Sequence, residues 1–256
     1  AELLAPDDAA QTLADYRARH AQYRTDANLQ KAHCNHSFIC VWDDHEITND
    51  TWREGAENHD ASEGDFSQRK AWAIQAYYEW LPVREPEDGY RERLYRTFRV
   101  GNLLDLHMLD TRVIGRDQQL DYANYFTATG AFDTTRFQAD MADPNRTLLG
   151  FEQRGWLQQQ LATSSATWQV LGQQVLMGRM NLPAPLVTFQ VTFAQYQQLA
   201  MLAQTNPGAL TPQQWAVLQA PSVPYNMDAW DGYFVERDTV LETARAAPIK
   251  PWPEKK

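Results

Sequence analysis

Asp43, Asp44, His45 and Glu46 occupy consecutive positions directly after the apolar run Phe38-Ile39-Cys40-Val41-Trp42. Carboxylates and an imidazole at that density support two kinds of chemistry. Carboxylate oxygens are hard ligands for Ca²⁺, Mg²⁺, Mn²⁺ or Fe, and an imidazole is both a metal ligand and a proton donor near neutral pH. Alternatively, an Asp pair after a strand caps a following helix by accepting backbone N–H bonds, with His45 a simple loop histidine. In either case the cluster is costly unless something cationic neutralises it. A second candidate group, Asp110-Thr111-Arg112, follows the apolar segment Leu103 to Leu109. The planar donor fork of an arginine suits phosphate oxygens. A buried Asp110–Arg112 structural pair is the competing reading.

Both groups need elements to hold them. Phe38 to Trp42 is rich in β-branched and aromatic residues without polar interruption, so a short buried strand is predicted there. The charged cluster then falls at the carboxyl end of a strand, where ligands bind in open α/β sheets. Leu94 to Val100 alternates like a half-buried strand, Gly101-Asn102 is a turn signal, and Leu103 to Asp110 reads as the returning strand of a hairpin. Trp168 to Leu176 is a further predicted strand. Helical patterns open at Asp7-Asp8-Ala9-Ala10, lead in from Ser62 to Gln68 and end at Pro82, and recur over Leu149–Leu161, Phe189–Ala203, from Thr211-Pro212, and over Asp231–Ala246. The aromatics Trp72, Tyr77 and Trp80 repeat at helical spacing and are expected in the core. Residues 115–145 are polar and aperiodic, which predicts a long excursion of the kind that often carries binding function. Asn181 to Val187 reads as a loop, and Pro248 to Lys256 as a frayed tail. The alternation of strand and helix signals predicts an α/β fold.

The chain has 256 residues, 43% of them hydrophobic, with nine tryptophans. That is the composition of a packed globular protein. A net charge of −10 argues against nonspecific nucleic-acid binding, which needs a basic footprint. No apolar run is long enough to span a bilayer, and Ala1 to Asp8 is too short and acidic for a signal peptide. Two cysteines, Cys34 and Cys40, do not make a disulfide scaffold. His33-Cys34-Asn35-His36 has no second Cys/His pair to complete a four-ligand site. Neither a Gly-rich phosphate loop nor a Gly-x-Ser-x-Gly elbow occurs.

Larger stretches carry a resemblance. Leu13-Ala14-Asp15-Tyr16-Arg17-Ala18-Arg19 and Tyr23-Arg24-Thr25-Asp26 precede Trp42-Asp43-Asp44-His45-Glu46, with Asn49 after it. Tyr78-Glu79-Trp80-Leu81-Pro82-Val83-Arg84 and Tyr95-Arg96-Thr97-Phe98-Arg99-Val100-Gly101 follow. Then come Leu109-Asp110-Thr111-Arg112, Leu149-Gly150-Phe151-Glu152-Gln153, Trp156-Leu157, Gly172-Gln173-Gln174-Val175-Leu176-Met177, and Trp230-Asp231-Gly232-Tyr233 with Glu236-Arg237. In this order, over nearly the whole chain, they resemble the alkaline phosphatase D (PhoD-like) family of metallophosphoesterases.

The resemblance implies a calcineurin-like metallophosphoesterase sandwich and hydrolysis of phosphate mono- or diesters at a multinuclear metal centre. The implied cofactor is a divalent metal, Ca²⁺, with Fe as a possible companion, and the implied location is periplasmic or secreted. Asp43-Asp44-His45-Glu46 is similar to the Gly-Asn-His-Asp/Glu motif of metallophosphoesterases at large. On that likeness Asp44 is the metal ligand, and His45 contacts the phosphoryl group or protonates the leaving group. Arg112 joins His45 as a catalytic candidate, while Asp43, Glu46, Asn49 and Asp110 position these groups from behind. The family's Gly-Asp-Tyr-type and Gly-Asp-x-His segments, which supply further metal ligands, do not occur in these 256 residues. The expectation is therefore a single PhoD-like domain over residues 1–256, incomplete at both ends. The alternative is a catalytically incomplete phosphatase with only a binding or structural role.

Overall fold

The computed structural model describes residues 9–247. Its elements, in chain order, are α1 (Leu13–Tyr23), α2 (Ala27–Asn35), α3 (Phe66–Trp80), β1 (Arg96–Val100), β2 (Leu104–Met108), α4 (Thr134–Met141), α5 (Phe151–Thr163), β3 (Trp168–Gly172), β4 (Asn181–Pro183), α6 (Ala184–Val187), α7 (Phe193–Thr205), α8 (Pro212–Gln219), β5 (Ser222–Pro224) and α9 (Phe234–Ala246). The fold is mixed α/β with small sheets. It divides into two compact units: residues 9–118, 147–174 and 238–247 form one, and residues 119–146 and 175–237 the other.

The first unit is built on a three-stranded sheet of order β1-β2-β3. β1 and β2 run antiparallel with Phe98 opposite Leu106, and β2 and β3 run parallel with Leu106 opposite Val170. Gly101, at φ 55°, takes the left-handed position that lets the β1–β2 connection close within three residues. The parallel pair is joined through α5, as parallel strands require a crossover. This sheet has an inverted face pattern. The side bearing Thr97, Asp105 and His107 lies under α5, where Ser164 Oγ donates to Asp105 Oδ2 at 2.7 Å and Trp156 meets His107 edge-on. The opposite side bears Phe98, Val100, Leu104, Leu106, Trp168 and Val170, of which Val100 and Trp168 are each 54% exposed.

α1 and α3 pack together beside the sheet. Thr12 opens α1 with a capping box to Asp15, and Asp65 caps α3. α3 ends at Trp80, before Pro82, because Pro disfavours helical backbone in the residue preceding it. Its buried face carries Ala73, Ile74, Tyr77 and Tyr78 into a core with Tyr16, Ile47, Leu94 and Val113. Trp42 lies edge-on to both Tyr77 and Tyr78, at centroid distances of 5.3 and 6.3 Å. Arg69 is buried among Tyr16, Asn58 and Glu63, which all bond its guanidinium. On the surface, Arg17 grips Glu79 with both arms of its fork at 2.6 Å.

In the second unit, Tyr125, Phe137, Met141 and Met227 form a small core with Tyr122 and Phe132 against it. β4 and β5 pair antiparallel. Asp231 is buried between Arg237 and the Met180 N–H. Residues 115–145, where an aperiodic excursion is expected, carry the 3₁₀ turn at Tyr122–Tyr125 and α4.

Several sequence expectations are corrected. Phe38–Trp42 is not a strand: no described strand lies beside it, Phe38 and Ile39 are exposed, and the Cys40 carbonyl is met by the Arg96 side chain at 2.7 Å. The segment is an irregular lead held by the burial of Trp42. Asn181–Val187 is not a plain loop, because Pro185 sits in the first turn of α6, where its missing N–H costs nothing. The first helix begins at Leu13, where Thr12 supplies the cap; Asp7, Asp8 and the tail Pro248 to Lys256 lie outside the described residues.

Two outcomes follow for stability. A Cβ on Gly115 would stand 2.4 Å from Gly150 Cα and 2.5 Å from Leu149 O, both backbone atoms with no room to yield. Gly115→Ala should lower the unfolding free energy by about 2 kcal/mol or more, read from urea denaturation. Hydrogen bonds from Arg17, then Gln75, draw the Glu79 carboxyl down to about 2. The pair's contribution is therefore full above pH 4.5 and is lost as pH falls through about 2. Glu79→Gln should cost under ~1 kcal/mol at neutral pH and flatten the acid side of the urea-midpoint profile.

Candidate functional site

The two charged groups predicted from sequence meet in the first unit. Beyond β2 the chain keeps one further sheet bond, from Leu109 N to Gly172 O. It then turns around the Asp110 carboxylate. Asp110 Oδ1 accepts the N–H groups of Arg112 and Val113, both at 2.8 Å, and Oδ2 accepts that of Ile114 at 3.2 Å. Gln153 fixes the base of the turn. Its Oε1 accepts Asp110 N at 2.9 Å, and its Nε2 donates to Asp110 O and Leu149 O at 2.8 Å. The turn aims Arg112 at the other group: Arg112 Nε lies 3.1 Å from Asp43 Oδ1, and Nη2 lies 3.7 Å from Asp44 Oδ1.

The loop at 43–50 folds on its own carboxylates. Glu46 Oε2 accepts the Asp43 N–H at 2.5 Å, and Asp44 Oδ2 accepts the Asp50 N–H at 2.7 Å. The carboxylate of Glu46 thus acts like the distal half of a capping box. Asp50 sits at φ 51°, a conformation Asp tolerates better than most residues. Asn49 donates to Glu57, away from the cluster. Burial alone would raise the Asp44 carboxyl, but the Arg112 guanidinium, the Asp50 N–H and His45 outweigh it and hold it below the usual carboxylate range. Burial raises the Glu46 carboxyl.

The sequence thus pointed to residues that come together here: Asp43, Asp44, His45 and Arg112 converge, with Glu46 one bond away. Asp110 lies behind Arg112 with its oxygens engaged by backbone. One donor atom from each of Asp43, Asp44 and His45 lies within 4.8 Å of the others. Two carboxylate oxygens and an imidazole nitrogen at that spacing suit a hard divalent cation. His45 Nδ1 is 3.3 Å from Asp44 Oδ1, yet its side chain is 73% exposed. Asp44 and Arg112 are buried, so the cluster has a charged floor and a wet rim. Nothing in the sequence marks Gln153 as a positioning residue, although it closes the segment Leu149-Gly150-Phe151-Glu152-Gln153.

Comparison with known proteins adds an independent finding. A family model described as PhoD-like phosphatase matches residues 1–251. Alkaline phosphatase D of Bacillus subtilis (strain 168) is 36% identical over 232 residues, covering 90% of this chain and 32% of that protein. A solved structure described as the structure of PhoD is similar at a TM-score of 0.63 and 34% identity, covering 93% of this chain and 37% of the other. The chain therefore spans about a third of the length of the relatives it matches.

Gln153→Leu keeps the side chain's bulk but leaves Asp110 N and O buried without partners. It should destabilise the protein by about 2–4 kcal/mol in urea denaturation. An unchanged midpoint would show that Gln153 does not hold the turn.

Proposed function

Because the chain belongs to the PhoD-like phosphatase family, we propose that its charged cluster takes part in metal-dependent hydrolysis of phosphate mono- or diesters. The observation that carries the reading is the convergence of donor atoms from Asp43, Asp44 and His45 within 4.8 Å, on carboxylates that Arg112 partly neutralises.

In this proposal Asp44 is the principal metal ligand, with Asp43 and His45 beside it. The ion is Ca²⁺, with Fe as a possible companion. A bound cation lowers the pKa of its water and offsets charge on the transferring phosphoryl group. Hydrolysis joins a water oxygen to phosphorus and breaks the bond from phosphorus to the alcohol oxygen, which leaves with a proton. His45 gives that proton or contacts the phosphoryl oxygens in this reading, supported by its solvent-facing ring and the nearness of its Nδ1 to Asp44. Arg112 offers charge to the phosphoryl oxygens while its Nε remains on Asp43, so the ester must reach the floor of the cluster. Glu46, Asn49 and Asp110 keep the loops in register, and Asp43 adds to this by holding Arg112 Nε. The exposed apolar side of the sheet supports reading it as one layer of a calcineurin-like sandwich. A structure of a longer form with that side still bare would overturn that part. The same reading puts the protein outside the cytoplasm, which cell fractionation checks. Among the described residues no helix is long and apolar enough to cross a membrane.

One observation favours a limit on activity. Only Asp43, Asp44 and His45 converge as donors among the described residues, whereas Ca²⁺ takes about 6–8 oxygen ligands. We infer that the 256-residue chain alone is a poor catalyst and that its role by itself is binding or structural. Robust turnover of an aryl phosphate with Ca²⁺, Mn²⁺ or Fe present would refute this.

In an active preparation, His45→Ala should lower kcat by ~10²–10⁴-fold with modest loss of metal. Asp44→Ala should instead weaken divalent-cation binding, measured by calorimetry. Turnover at the original rate by the His45 variant would remove it from the reaction.

A further inference from the structure

His45 and Glu46 have a second side. They also line a cavity of about 290 Å³, whose other walls come from α1, α2 and the segment after α3. Its other walls include the rings of Tyr16, Tyr23, His20 and His33, with Leu29 and Leu81 between them. Two of these rings are held flat by neighbours: His20 stacks on Trp80 at 6.2 Å and 7°, and His33 stacks on Phe38 at 4.0 Å and 12°. A cavity of this size is at the lower edge of small-molecule sites and takes a single ring system, not an extended polymer.

Arg19 and Arg24 line the same cavity and would at first suggest an anionic guest. Their guanidinium groups are already engaged, however. Arg24 Nη2 donates to Trp80 O at 2.8 Å, and Arg19 Nη1 donates to Gln22 Oε1 at 3.3 Å. Glu46 brings a carboxyl to the same wall. Burial, then the Arg24 charge, lowers the affinity of His20 for a proton, so at neutral pH it presents an uncharged face. Flat rings with aliphatic filling between them suit a guest that stacks, because aromatic pairs gain beyond the area they bury.

We propose that this cavity is the leaving-group subsite of the phosphoester site and that it takes an aromatic ring attached at or next to the ester oxygen. This rests on the hydrolase reading above. His45 is the shared wall: its Nδ1 faces Asp44 at 3.3 Å, and the residue also lines the cavity. An ester whose phosphoryl group sits on the carboxylates therefore needs only a short link to seat its ring. The preferred substrates would be aryl or arylmethyl phosphates, not esters of small aliphatic alcohols.

Phenylphosphonate and methylphosphonate test this on the chain itself, since neither is hydrolysed. Binding is measured by calorimetry in saturating Ca²⁺ and, separately, Mn²⁺. The expected result is about tenfold tighter binding of the phenyl compound. Tyr23→Ala and His33→Ala, both on the rim, should each bring that ratio towards one and leave methylphosphonate binding unchanged. Equal affinities in the original chain would overturn the subsite and leave the phosphoryl site standing. A phenyl preference that persists in both variants would also overturn it, because the ring would then lie elsewhere. No binding of either phosphonate with either metal would show that Asp43, Asp44 and His45 form no phosphoryl site in this chain, overturning that assignment and the subsite with it.

Discussion

Two carboxylates on adjacent residues repel each other, and the Arg112 guanidinium relieves that repulsion by standing against both Asp43 and Asp44. Without it, burial of Asp44 would favour the protonated acid, which is a poor cation ligand. With it, the carboxylate stays ionised in a place where water is scarce. The cost of burying a guanidinium is offset by charged partners and by hydrogen bonds. The chemistry proposed for the loop at 43–46 thus depends on a residue about seventy positions away reaching it at a defined angle.

That angle is set by groups that never touch the cluster. Gln153 clasps both polar atoms of the Asp110 backbone, and the Asp110 side chain gathers the next amides of the turn. Gln174 adds a parallel clasp, donating to Leu109 O and accepting from the Thr111 hydroxyl. One amide comes from α5 and the other from just beyond β3, so the crossover that makes β2 and β3 parallel also delivers the groups that shape the end of β2. Gly115 lies against Gly150 in the same place because nothing larger would let the turn approach α5.

Much of this was legible in the residues. The β1–β2 hairpin announces itself by alternation and by Gly101, α3 by its aromatic spacing and by Pro82, and α8 by Thr211 before Pro212. The position of both charged groups after apolar segments was also readable, although the segment at Phe38–Trp42 lacks a strand neighbour. An apolar run signals burial; it does not say whether burial comes through a backbone ladder or through one anchored ring, here Trp42 among tyrosines. α2 left little trace because it buries no residue. Gln153 was unreadable as a positioning group, since an amide has no periodicity and the turn it holds lies 43 positions away. The cavity at His45 was hidden because Tyr16, His20 and Tyr23 recur along α1 like any packing stripe, whereas His33 comes from α2 and His45 from the charged loop.

The inverted sheet has a consequence for how the protein behaves at high concentration. Its polar side is roofed by α5, and its apolar side, with Trp168, Val170 and Val100, faces water. Two such faces attract at contact, whereas a net charge of −10 repels at a distance. Salt weakens only the second effect, because the screening length shrinks from about 30 Å at 0.01 M to about 8 Å at physiological strength. Colloidal stability should then decline as ionic strength rises, the reverse of ordinary salting-in, with the onset governed by mass action between sheets.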